Sequence, residues 1–268
     1  MPVQSNKKRS AAVSVILKLL PVITIIVFLA VWQALVSAGI VDNRYLASPL
    51  DIWKGFLFKL NNKGPDGSTL GINILSSLKV ASTGLILAIV IGIPLGLLMG
   101  WYTTFDKFVH PIFEIIRPIP PVSWIPLMII WVGLGTPAKA MIIFLAAFIP
   151  CVINSYTGIR LTSRVLINVS KTFGASNFYT FLHVGIPSAT PMIFAGIRLA
   201  LGTSWGTLVA AELLAASSGL GYMINMARSF ARIDIVMLGM ILIGLLGYLF
   251  TTLFGFIERK IIKGRTVL

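Results

Sequence analysis

Apolar positions along the chain gather into long runs separated by short polar clusters. Residues 19–41 carry no charge over 23 positions, 80–105 none over 26, and 118–138 none over 21. Residues 140–159 are charge-free over 20 positions and 235–257 over 23. A helix needs about 20 apolar residues to cross roughly 30 Å of hydrocarbon. A further apolar region, 185–227, is interrupted by Arg198 and Glu212 and is read as one span near 188–215. The pattern therefore predicts six transmembrane helices. Lipid offers the backbone no hydrogen bonds, so spans must satisfy themselves, and the alternating segments of a barrel are absent from the sequence.

Composition sharpens this picture. Of 268 residues, 57% are hydrophobic and only 11% charged, with a mean hydropathy of +0.93. Ordinary soluble domains carry about 25% charged residues, so a soluble enzyme or a disordered chain is excluded. One cysteine, Cys151, makes neither an internal disulfide nor a zinc cluster. The expected organisation is a single membrane bundle over 19–258, preceded by a cytoplasmic segment 1–18 and followed by a basic tail 259–268. Lys7, Lys8, Arg9 and the stretch Val36-Ser37-Ala38 resemble parts of a signal peptide. The first run is too long for a signal core of about 7–15 residues, and a retained helix is expected.

The net charge of +14 raises nucleic acid as a partner. The basic residues sit in clusters between apolar runs, with no basic stripe and interleaved aromatics, so no nucleic acid is expected. In membrane proteins such an excess reports topology. With the N-terminus in the cytoplasm, twelve Lys and Arg fall inside and eight outside. This places both termini in the cytoplasm, the 42–76 loop outside and the 160–186 loop inside.

Three irregular places suggest function. Gly92, Gly96 and Gly100 recur every four residues around Pro94, which suits close helix packing or a moving pore wall. The stretch Arg117-Pro118-Ile119-Pro120-Pro121-Val122-Ser123-Trp124-Ile125-Pro126 cannot be a continuous helix. It reads either as a discontinuous helix on a transport path or as a turn between an interfacial helix and the next span. Glu114, Arg117, Arg198 and Glu212 fall at membrane depth, where a charge costs about 2.5–3.5 kcal/mol on insertion scales. Structural pairing is expected for Arg117, Arg198 and Glu212.

The 160–187 loop is the most informative. Val165, Leu166, Val169 and Phe173 recur at helical spacing, Gly174 breaks the pattern, and Phe178, Phe181 and Leu182 begin a second stripe ended by Pro187. This amphipathic knuckle is too short to cross a membrane. It suits either the bilayer surface or a groove on a cytoplasmic partner.

The same loop resembles the cytoplasmic motif of ABC importer permeases: Glu-Ala-Ala, three residues, Gly, about nine residues, then Ile-x-Leu-Pro. Asn168-Val169-Ser170 stands at the Glu-Ala-Ala place, Gly174 and Ala175 at the glycine core, and Pro187 at the end. Leu46-Ala47-Ser48-Pro49, Arg117-Pro118-Ile119-Pro120-Pro121, Trp124-Ile125-Pro126-Leu127 and Gly196-Ile197-Arg198-Leu199-Ala200-Leu201-Gly202 resemble the nitrate/sulfonate/taurine type. So do Ala211-Glu212-Leu213 and Ala216-Ser217-Ser218-Gly219-Leu220-Gly221-Tyr222. The family's acidic residue is Asn168 here, which removes a charge at that point.

The resemblance implies an all-α integral membrane fold like that of type I ABC importer permeases, in a bacterial inner membrane. It implies a second permease copy, two ATP-binding subunits and an extracytoplasmic solute-binding protein. ATP and Mg would be used by the partner ATPase, with no cofactor bound by this chain. Coupling to the ATPase falls on Asn168, Ser170, Lys171, Gly174, Ala175 and Ser176. A small anion such as a sulfonate, taurine or nitrate is the implied substrate class.

The residues themselves show no catalytic constellation. There is no Gly-Lys dipeptide and hence no P-loop. Gly202-Thr203-Ser204-Trp205-Gly206 spells a nucleophile elbow, but it lies in an apolar helical run and both histidines, His110 and His183, precede it. The alternative class is a secondary transporter or channel without ATP coupling. For the translocation path, the 80–100 and 188–215 helices are the expected walls, with Ser204 and Thr207 as candidate lining donors. The rival for both is a bond to the preceding helical turn.

Overall fold

A computed structural model describes residues 3–215 and 217–262. Ala216, and Lys263 and Arg265 of the basic tail, lie outside the described residues. The described secondary structure is helical: α1 (Val3–Ser37), α2 (Pro49–Asn61), α3 (Leu70–Trp101), α4 (Thr103–Ile116), α5 (Ile125–Val132), α6 (Thr136–Arg160), α7 (Arg164–Thr172), α8 (Asn177–Thr180), α9 (Ile186–Ala215), α10 (Leu220–Ser229) and α11 (Ile233–Ile262). Five helices are long and apolar enough to cross a membrane, and the pair α4–α5 makes a sixth if counted as one bent span.

The bundle is built on α6, which packs between α3 and α9. The reason lies in small residues. A Cβ added at Gly84, Gly96 or Gly100 would fall 2.7, 2.4 or 2.1 Å from atoms of α6, and one at Gly92 would come within 3.1 Å of Cys151. The glycine stripe thus brings two backbones into contact, as lipid-embedded helices require without a hydrophobic drive between them. On the other side, Gly158 meets Met192 and Ala189, and Gly196 meets Asn154 and the Pro150 carbonyl.

Four boundaries differ from the sequence expectation. The second span starts at Leu70, ten residues before the expected 80, because Lys79 stays exposed on the helix while Asn73 and Ser77 are buried and bonded. The 118–138 run is no straight helix. It turns by 85° at the proline cluster, continues through a 3-10 turn Pro121–Trp124 into α5, and stops at Gly133 with φ +82°. With 8 residues, α5 is ~12 Å long and cannot cross alone.

Pro187 does not end a helix, in contrast to its expected role. A π-helical stretch, Phe181–Gly185, precedes it, and the Ile186 N–H reaches the Phe181 carbonyl, so α8 runs on into α9. The wider turn re-registers the backbone where proline supplies no donor. Finally, α10 has no counterpart in the sequence reading. It buries Leu220, Met223 and Ala227 in a cluster with Leu70 and Ile235.

Candidate functional site

The 160–187 stretch forms two short helices around a glycine. In α7, Val165, Leu166 and Val169 are exposed, and so are Phe173 and Phe178 beyond it. Gly174 has φ +78° and nothing within 4 Å of an added Cβ. It is there for its left-handed backbone, not for close approach. Its N–H donates to the Lys171 carbonyl at 2.9 Å, and the Ala175 N–H donates to the Ser170 carbonyl at 3.2 Å, closing the end of α7. Ser176 then starts the next helix, its hydroxyl accepting from the Tyr179 N–H at 3.2 Å. Ser170 and Thr180 hydroxyls lie 2.9 Å apart and brace the two limbs. Asn168 and Lys171 are exposed, and the Asn168 carbonyl accepts from Thr172 at 3.0 Å. The result is a rigid polar-backed knuckle with an uncovered apolar edge.

A cavity of about 590 Å³ opens between α6, α9 and the proline turn at Pro121 and Val122. Its chemistry follows from Pro150. Proline gives no N–H, so the carbonyl four residues earlier, Ala146, lacks its helical donor. The Thr203 hydroxyl of α9 lies 3.1 Å from that carbonyl, and also within 3.1–3.2 Å of the Leu199 and Ala200 carbonyls of its own helix. Asn154 donates to the Pro150 carbonyl at 2.9 Å. Thr207 lines the same wall, and Gly202 and Gly206 leave it open. The lining carries no charged side chain.

Ser204 is elsewhere. It is 3% exposed and donates to the Leu201 carbonyl at 3.1 Å, one turn back, beside a smaller void of about 130 Å³ between α3, α9 and α11. The 80–100 helix, an expected wall, does not line the large cavity and reaches the smaller void through Ala81 and Leu85. Thr203 and Asn154 were not singled out by sequence. The signal for Thr203 was Pro150, whose missing donor leaves the Ala146 carbonyl for a polar neighbour.

Residues 88–264 match the family described as binding-protein-dependent transport system inner membrane component. The chain belongs to that family. It is 33% identical over 238 residues to the taurine transport system permease protein TauC of Escherichia coli (strain K12), covering 89% of this chain and 86% of that one. It is 32% identical over 246 residues to the nitrate import permease protein NrtB of Synechocystis sp. (strain ATCC 27184 / PCC 6803 / Kazusa), covering 90% and 88%. In fold it is similar to a chain of the inward-facing MetNI methionine ABC transporter, with a TM-score of 0.60 at 20% identity over 72% of this chain and 94% of that one. The protein is a multi-pass inner-membrane permease component of an ABC importer.

The charged residues of this permease fall into two groups. Arg117 bonds Glu114 at 3.0 Å on an exposed turn, and Arg198 pairs with Glu258 across α9 and α11. Glu212 makes no ion pair among the described residues. It is 1% exposed and accepts from Ser77 at 2.7 and 2.9 Å and from the Gly221 N–H at 2.8 Å. Ser77 in turn accepts from the Leu220 N–H at 2.9 Å. Lys139 donates to the Ser218 carbonyl at 3.1 Å. Next to this cluster, Asn73 accepts from the Gly219 N–H at 3.2 Å and donates to Asp66 at 2.6 Å. Asp66 holds the wholly buried Lys59 ammonium at 2.5 Å. Glu212 therefore ties the 217–221 turn to α3 rather than facing the large cavity.

Proposed function

We propose that this permease works as one half of a homodimer that moves small anions of the sulfonate, taurine or nitrate class into the cell. Two ATP-binding subunits dock on the α7–Gly174–α8 knuckle, and a solute-binding protein delivers substrate at the opposite end, with both termini of the chain cytoplasmic. ATP and Mg act in the partner subunits, and this chain performs no chemistry of its own. The observation that carries the reading is the knuckle: exposed Val165, Leu166, Val169 and Phe173 on a helix fixed by the left-handed Gly174. Such an edge fits a groove as a helix with an apolar face. Asn168, Ser170, Lys171 and Ser176 supply its polar frame, and the Ala175 N–H closes the end of the helix.

The path runs along the cavity between α6 and α9, where Thr207, Thr203 and Asn154 present neutral polar groups. Neutral donors suit transient contact with an anion better than a charged clamp, because substrate must leave as readily as it enters. Ser204 is bonded within its own helix and takes a structural place.

The test is reconstitution of the permease with its ATPase and binding protein in proteoliposomes. ATP-dependent uptake of taurine, an alkanesulfonate or nitrate is expected, and Gly174→Val should abolish ATPase co-purification or coupled uptake while membrane insertion persists. Full coupling in that variant, or solute uptake independent of ATP, removes the proposal.

A further inference from the structure

One side of α2 is both exposed and apolar. Ile52, Gly55 and Lys59 are buried on one face, while Leu50, Trp53, Leu57 and Leu60 are exposed on the other. Their spacing of three, four and three residues draws a single stripe along the helix. Asp51, Lys54 and Asn61 run along one edge of that stripe, where Lys54 stands 77% exposed and 3.9 Å from Asp51. Phe58, on the same edge, lies under the Arg232 guanidinium at 5.5 Å. Trp53 stacks on Phe56 with ring centroids 5.3 Å apart, and Tyr45 is exposed just ahead of the helix. With 13 residues, α2 is roughly 20 Å long and cannot cross a membrane.

What covers this stripe follows from the depth of the opposite face. Ile52 shares a buried cluster with Ala47 and Leu238, against which Trp32 of α1 and Leu242 of α11 pack. Trp32 lies five residues inside the end of α1, and Leu238 five residues inside the start of α11, each about 8 Å along the helix axis. The α1 stretch Leu20–Ser37 has 18 residues, about 27 Å, so a crossing leaves none of its outer turns to spare in water. The helix α2 is therefore level with the outer part of the hydrocarbon, not above it. At the same height α11 exposes Met240, Ile241 and Leu245, so the stripe continues the apolar surface of a spanning helix. The one charge on the inner face of α2 is closed off. Lys59 is 0% exposed and donates to Asp66 at 2.5 Å and to the Ser68 carbonyl at 2.7 Å. A bare ammonium at that depth is costly, and this one meets no lipid.

We propose that α2 is a membrane-plane helix, sunk into the leaflet at the end of the bundle opposite the knuckle. Leu50, Trp53, Leu57 and Leu60 sit among the lipid chains, and the edge that carries Lys54 faces the headgroups. Amphipathic helices with Trp and Leu on one side and Lys on the other lie at this boundary. Trp and Tyr favour the same level, which suits Trp53 and Tyr45. The lipid surface is the partner of this stripe, which is thereby withdrawn from docking of a solute-binding protein. The inference does not depend on which solute the permease carries.

The experiment uses the full-length permease with Leu50→Cys, Leu57→Cys or Leu60→Cys, and with Asn62→Cys as the aqueous reference. Cys151 is 1% exposed, and the parent chain gives the background. Each variant is labelled with a nitroxide and reconstituted in vesicles of phosphatidylethanolamine and phosphatidylglycerol. Collision with oxygen should exceed collision with a water-soluble nickel chelate severalfold at positions 50, 57 and 60, and the order should reverse at 62. A label at Lys54→Cys should fall between them. In unlabelled protein, brominated phosphatidylcholine should quench tryptophan fluorescence less in Trp53→Phe than in the parent. Dominant nickel collision at 50, 57 and 60 would place α2 in water, and low collision with both reagents would place its stripe against protein. Either result, or quenching that Trp53→Phe leaves unchanged, overturns the proposal.

Discussion

Ser48 and Glu212 show how single side chains hold this permease together. Ser48 caps α2, its hydroxyl accepting from the Asp51 N–H at 3.1 Å and donating to the Asp51 carboxylate at 2.7 Å, with Pro49 at the first helical position. These bonds, above all the one from Ser48, hold the Asp51 carboxyl below its ordinary 3.8. A depressed carboxylate contributes stability above its unfolded value and loses it as pH falls through the folded one. The α2 region should therefore be insensitive to pH near neutrality and loosen only in strong acid. Ser48→Ala should cost about 0.5–2 kcal/mol and remove part of that acid dependence, read by thermal unfolding at several pH values. Glu212→Ala should be worse. It leaves the Gly221 N–H and the Ser77 hydroxyl unpartnered in a buried place, each at about 1–3 kcal/mol. A lowered melting temperature of the purified permease is the expected readout, with Glu212→Gln milder because it keeps one acceptor oxygen.

At the scale of elements, the glycines divide by what faces them. A Cβ at Gly96 would sit 2.4 Å from the Val152 carbonyl, a backbone atom that cannot swing aside. Gly96→Ala should push α3 from α6, cost about 1–3 kcal/mol, and reduce the yield of folded protein in detergent. Gly206, on the cavity wall, has nothing within 4 Å of an added Cβ. Gly206→Ala should leave the fold intact, so normal yield beside altered uptake would tie that wall to transport. Sequence spacing made the Gly92, Gly96 and Gly100 stripe visible but not its partner. The structure gives it to α6, and the cavity to the opposite face of α6. A helix face can be recognised from its small residues, but which neighbour fills it depends on the packing of all the others.

On the scale of the whole molecule, the basic-loop bias predicts an orientation for the permease, and that prediction can be tested directly. A cysteine at Asn62 should react with an impermeant thiol reagent from outside, and one at Ser176 only from inside. These positions flank the long helices at the α2 end and the knuckle end of the chain. Labelling of both from one face would require an even number of crossings between them, and attention would turn to the 85° bend between α4 and α5. Thr207→Trp should fill the cavity of about 590 Å³ and block uptake while ATPase assembly and basal hydrolysis persist. Uptake at the parental rate in that variant would move the path away from the α6–α9 cavity.

Hydrophobic run length alone pointed to the membrane class and to five of the long helices, because hydrocarbon thickness translates directly into residues per helix. The α7–Gly174–α8 knuckle was equally legible, since amphipathic spacing and a breaking glycine are local properties. The proline cluster announced a break but not its angle. Other features were invisible in the sequence because they join residues far apart in the chain. Thr203 earns its place only when α9 lies beside the unpaired Ala146 carbonyl, 57 residues away. Glu212 finds Ser77 across 135 residues rather than a basic neighbour. Local periodicity chooses helices, but burial, cavity shape and the pairing of polar groups are set by which helices touch.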